Sequence, residues 1–128
     1  ISFYLENLHY NLVVQLLNDK YGIQTRGGCA CAGTYGHFLL EVSYEKSLEI
    51  TDKISHGDLS GKPGWIRWSL HPTMTNVEVD LMITALHDIA ENAEVYKNDY
   101  EHILRSNIFK HKKQVSETGW MNNWFNAE

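Results

Sequence analysis

The chain has 128 residues, of which 43% are hydrophobic, with nine glycines, two prolines and two cysteines. That length makes one domain with one core, able to bury roughly two thirds of its unfolded surface without a disulfide or a metal. The formal charge of −5 argues against nonspecific nucleic-acid binding, because no basic stripe is present to neutralise phosphates, and Lys110, Lys112 and Lys113 read as solvated surface. No apolar run reaches membrane-spanning length and no signal peptide is visible, so a reducing, cytoplasmic location is expected.

The elements follow in chain order. Residues 2–5 (SFYL) are aromatic and apolar and predict a strand. Asn7 offers a helix cap, and Leu8, Leu12, Val13, Leu16 and Leu17 recur on one helical face. Gly22 ends that helix by taking a left-handed backbone. Residues 23–26 (IQTR) predict a second strand running into the loop GGCACAG. Leu40, Tyr44, Leu48 and Ile54 keep helical register and predict one helix from Phe38 to Ile54. Residues 56–64 (HGDLSGKPG) are a loop.

Residues 65–70 (WIRWSL) predict a strand, with Ile66, Trp68 and Leu70 on one face and Trp65, Arg67 and Ser69 on the other. Thr75 and Glu78 form a capping box, followed by Val79, Met82, Ile83, Leu86, Ile89, Ala90 and Ala93 at helical spacing. Residues 96–105 are expected to be helical, and residues 119–128 carry aromatics without a period. The order predicts an α/β arrangement of the α+β type. Its small, mostly antiparallel sheet has helices packed on one face, which leaves the other face free for a ligand or a second domain.

Both cysteines stand in TRGGCACAGTYGH, with one residue between them. A nucleophilic thiol must be an exposed thiolate near positive potential. The Gly-rich turn supplies exposure, Arg26 supplies charge, and Cys31 is followed by the small pair Ala32-Gly33. Against this stands the plain alternative that Cys29 and Cys31 are small hydrophobes packed under the loop. Metal binding through Cys-x-Cys, His37 and either His56 or His71 is a second alternative, at a spacing unusual for zinc. A redox pair is a third, with a cramped ring. Arg67 projects from the polar face of its strand and can grip a carboxylate through two parallel hydrogen bonds, or serve a structural ion pair. Arg26 has the same two alternatives. His37 and His71 fit structural roles, and Trp65, Trp68, Trp120 and Trp124 fit packing.

GIQTRGGCACAG followed by GWIRWSLHPTMTNVEVDLMITAL resembles the C-terminal small domain of class V aminotransferase-like, pyridoxal-phosphate-dependent enzymes of the cysteine desulfurase and selenocysteine lyase group. The resemblance runs from residue 1 to about residue 95. It implies a small domain over residues 1–106, as in fold-type I enzymes, with a tail over 107–128. It also implies that Cys31 is the sulfur-accepting residue, that Arg67 holds the substrate's α-carboxylate, and that Arg26 is a second arginine of the site. Cys29 stands where the commonest desulfurase pattern has another residue. Its Cys-x-Cys is similar to the molybdenum-cofactor sulfurase branch, which leaves Cys29 as the alternative thiol. Some class V relatives are transaminases or lyases that need no cysteine.

Those enzymes bind pyridoxal phosphate through a lysine preceded by histidine in a large N-terminal domain. Only Lys112 follows a histidine here, in a polar context, and the chain begins at Ile1 rather than Met. The chain is therefore expected to be part of a longer enzyme that acts on a small amino acid, forms a homodimer and contributes its large domain separately. Alone, it is expected neither to hold the cofactor nor to turn over. The non-enzymatic alternative is a free-standing α/β binding or thiol-dependent interaction domain.

Overall fold

A computed structural model describes residues 1–29 and 33–113. Their elements are β1 (Ser2–Phe3), α1 (Tyr10–Tyr21), β2 (Arg26–Gly28), α2 (Gly33–Leu39), α3 (Tyr44–Ser55), β3 (Trp65–Arg67), α4 (Asn76–Lys97), β4 (Tyr100–Ile103) and β5 (Ile108–His111). The expected class, a small α+β domain with antiparallel sheets, is the one observed. Three strands form a sheet in the order β1-β3-β2, and β4 and β5 form a separate hairpin. The pairing of β1 with β3 continues beyond both strands, because Ile1 and Trp68 exchange backbone hydrogen bonds of 2.8 and 2.9 Å.

Helix α1 is the organising element. Its Tyr10, Leu12, Val13, Leu16 and Leu17 are all buried, a wider arc than a one-sided surface helix carries. It needs that width because it touches the three-stranded sheet, α4 and β5. The core joins these residues to Ile66 of β3, Ala85 and Ile89 of α4, Tyr100 and Phe109. Gly22 caps α1 at φ 66°, as expected from the sequence. At the other end the cap is His9, not Asn7. Asn7 itself sits in a turn at φ 62°.

The capping box of α4 forms as expected. The Thr75 hydroxyl accepts from the Glu78 amide at 3.3 Å, and the Thr75 amide donates to the Glu78 carboxylate at 2.7 Å. Its buried stripe is rotated from the expected one: Met82, Ala85 and Ile89 are inside, whereas Ile83 and Ala90 face out. Near its end Asn92 leaves helical geometry, and its side chain donates to the Asp88 carbonyl at 3.1 Å, an insertion of the kind that kinks helices. The Asp88 carboxylate also accepts from the Tyr21 and Tyr96 hydroxyls, which ties the end of α1 to α4.

Further expectations are corrected, among them the strands expected at 2–5 and 65–70, which end at Phe3 and Arg67. The single helix expected over 38–54 is two, α2 and α3, separated at Leu40–Ser43, where Glu41 has φ 50° and Ser43 caps α3 by accepting from Lys46. The second strand lies at 26–28 rather than 23–26, because pairing to β3 decides which residues are extended. Residues 96–105 are not one helix. After Lys97 the chain turns into β4, where Tyr100 pairs with His111 and His102 with Phe109. The alternation of YEHI and IFKH around a turn ending in Asn107, at φ 53°, is a strand pattern. The fold therefore continues through residue 111, and Phe109, in the stretch assigned to the tail, is a core residue. The aromatics of 119–128 lie outside the described residues. No helix among the described residues is long and apolar enough to cross a membrane.

Candidate functional site

The register of the sheet sorts its residues by face. Phe3, Ile66 and Gly27 lie side by side across the three strands, as do Ser2, Arg67 and Arg26. Directly opposed residues share a face and successive residues alternate. Helix α1 covers the first row. A Cβ added at Gly27 would come within 2.7 Å of Asn11, 2.8 Å of Tyr10 and 3.2 Å of Val14. Gly27 is thus the residue that lets β2 lie down on α1. Gly28 follows at φ 117°, a backbone that L side chains rarely adopt, and swings the chain into the cysteine loop.

The second row is different. Arg26 is exposed and Arg67 half-buried. The two are directly opposed, which sets their Cβ atoms about 4.5–5.5 Å apart. Among the described residues neither guanidinium has a carboxylate within ion-pair distance or donates a side-chain hydrogen bond. The structural ion pair weighed for each is therefore not found among those residues. Two like charges facing each other across a ladder cost stability, and a bound anion would offset that cost.

Cys29 follows β2 and is buried, 7% exposed. Its Sγ donates to the Pro63 carbonyl at 2.6 Å, and a Cβ on Gly36 of α2 would stand 3.1 Å from that sulfur. Burial pushes the thiol up from its ordinary value, opposed by the charge of Lys62. Cys29 is held as a packed, protonated thiol. Cys31, the residue the resemblance makes the sulfur acceptor, lies outside the described residues.

Two clefts meet at Cys29, Gly33 and Lys62. One, of about 530 Å³, opens between α2 and α3 and is lined also by His37, Ser47 and Ile50. The other, of about 350 Å³, is bordered by Tyr10, Asn11 and Asn107. Neither is lined by Arg26 or Arg67. His37 lies 2.9 Å from the Ser47 hydroxyl, His56 bonds within its own helix, and His71 lies 2.8 Å from the Thr73 hydroxyl. Among the described residues no three His, Cys, Asp or Glu gather to hold a metal ion.

Sequence reasoning missed a polar cluster behind the glycine strand. His9, Tyr10, His102 and Asn107 converge there from α1 and the hairpin. No local signal marks it, since each residue is ordinary in its own segment. No family model matches the sequence, and neither the curated proteins nor the solved structures contain a match.

Proposed function

We propose that this domain supplies the carboxylate-binding side of the active site of a class V aminotransferase-like, pyridoxal-phosphate-dependent enzyme of the cysteine desulfurase and selenocysteine lyase group. The observation that carries this is the Arg26–Arg67 pair, directly opposed on the sheet face away from α1 and without carboxylate partners among the described residues. A planar guanidinium on a strand binds a carboxylate with two parallel hydrogen bonds, and a second cation beside it raises the affinity further. The substrate class is a small amino acid, with Arg67 on the α-carboxylate and Arg26 at its side. Cys31, two residues beyond the packed Cys29, is the thiol assigned to accept sulfur.

On this reading the cofactor is not held by this domain. Lys112, which follows His111, donates its ammonium to the Asn98 carbonyl beside the hairpin. The cofactor would be held by another domain of a homodimeric, cytoplasmic enzyme, and the bare arginine face would lie against that domain.

The test is an NMR titration of the chain with L-alanine and with acetate, followed at the arginine Nε–H signals. Saturable shifts confined to β2 and β3 are expected. Arg67→Ala should weaken binding about tenfold to a hundredfold, the worth of hydrogen bonds to a charged group. Shifts spread over the surface, or unchanged affinity in Arg67→Ala, would remove the proposal. In the intact enzyme, Cys31→Ala should abolish sulfur release. Unchanged sulfur release would instead favour a class V transaminase or lyase that does not use the thiol.

A further inference from the structure

We infer that His9 and His102 form a proton-operated latch between the first turn of α1 and the β4–β5 hairpin, closed while His9 is neutral and opened when it takes up a proton. The cap of α1 is unusual in its chemistry. The Asn11 amide donates to Nδ1 of His9 at 3.1 Å. A ring nitrogen accepts only when it carries no proton, so this cap requires neutral imidazole with its hydrogen on Nε2. That Nε2 is buried and, among the described residues, makes no hydrogen bond of ordinary geometry, although the Ser60 backbone lies close enough to the ring to favour its charged form.

The surroundings couple the cap to the hairpin. The His9 ring stacks on Tyr10 at 4.5 Å between centroids and lies 5.0 Å from His102 and 5.3 Å from Phe109. His102 in turn stacks on Phe109 at 4.2 Å and 8°, and its Nε2 lies 2.8 Å from the Asn107 side-chain oxygen. Asn107 is buried. Its amide nitrogen donates to the Tyr10 hydroxyl at 3.0 Å, and its carbonyl accepts from the Asn11 side chain. The turn of the hairpin is thus fastened to the first turn of α1.

A proton on Nδ1 removes the cap and sets a cation at a helix N-terminus, where the peptide dipoles are already positive. The groups facing His9 are the Tyr10 phenol on α1, His102 on β4, Phe109 on β5 and the Ser60 backbone. Asp58, from the same loop as Ser60, is held below its ordinary value first by hydrogen bonds from Ser60. Burial, then His102, hold His9 below its ordinary value, with the Ser60 backbone opposing. The unfolded chain therefore binds this proton more readily than the folded one. The latch contributes fully above the unfolded value of 6.5 and loses strength as pH falls through it.

The test is amide hydrogen exchange on the full chain near pH ~7.5 and pH ~5.5, corrected for intrinsic rates. Protection of the first turn of α1 and of the hairpin should fall about fivefold or more at the lower pH, the worth of a lost cap, while the Thr75–Glu78 turn keeps its protection. His9→Asn keeps a capping oxygen that does not titrate, and its protection should not change with pH. Equal loss in wild type and His9→Asn, or no loss in wild type, overturns the proposal. Because His9→Asn also alters packing, ¹⁵N spectra of the wild-type His9 ring give an independent reading. Protonated Nε2 and bare Nδ1 at neutral pH support the latch, and the opposite tautomer overturns it.

Discussion

The two faces of the three-stranded sheet are built from alternate residues of the same strands and have opposite fates. On one, Ile66 is 0% exposed and Gly27 is pressed against Tyr10, Asn11 and Val14 of α1. On the other, one residue along, Arg67 and Arg26 stand opposed with no carboxylate partner among the described residues. The difference teaches that, among the described residues, the row facing α1 carries the deeper burial, while the arginine row is open beside Trp65, which packs against Gly36 of α2. The covered face carries the burial that stabilises the domain, whereas the arginine face adds repulsion. A pair of facing cations without carboxylate partners among the described residues is a candidate for binding rather than for folding.

This division can be broken at graded points. Ile66→Ala should give the largest effect, lowering the unfolding free energy by about 2–5 kcal/mol in urea titrations, because it removes side-chain volume from the centre of the core. Gly27→Ala comes next, at about 1–3 kcal/mol. The added methyl must displace Asn11 and Tyr10, and the same urea titration reads the loss. Arg67→Ala should lie at the other extreme. Its midpoint should move by less than about 0.5 kcal/mol, and toward greater stability, since one of two facing cations is gone. A destabilisation by Arg67→Ala comparable to that of Gly27→Ala would show that the arginine face is structural. A sharper probe of the boundary between the faces is Cys29, where β2 leaves the sheet. In a Cys31→Ser chain it is the single thiol, and iodoacetamide should alkylate it more slowly than a free cysteine until urea unfolds the domain.

Much of this was legible in the residues. Alternation in WIRW separates buried Ile66 from half-buried Arg67, and so the two rows of the sheet. The Thr75–Glu78 capping box and the Gly22 stop formed as read. The cysteine loop was legible only in part. Gly33 and Gly36 looked like loop residues but belong to α2, because Gly36 is where that helix packs on Cys29 and the Trp65 ring. Packing energy there outweighs the poor helix propensity of glycine. The hairpin was hidden because its strands are four residues each and carry polar residues at alternate places, too short a pattern to outvote the helix before it.

Local chemistry settled where α1 stops and where α4 starts, which faces of β3 differ, and that the chain makes an α+β domain. Those outcomes rest on backbone dihedrals and hydrogen bonds that act within four or five residues. Only the tertiary structure set Arg26 opposite Arg67, pressed Cys29 beneath α2, and made His9 a cap against His102. Each of these depends on which distant segment lies across from a residue. That is decided by how the buried surface of α1 is shared among the sheet, α4 and the hairpin, which no short stretch of sequence encodes.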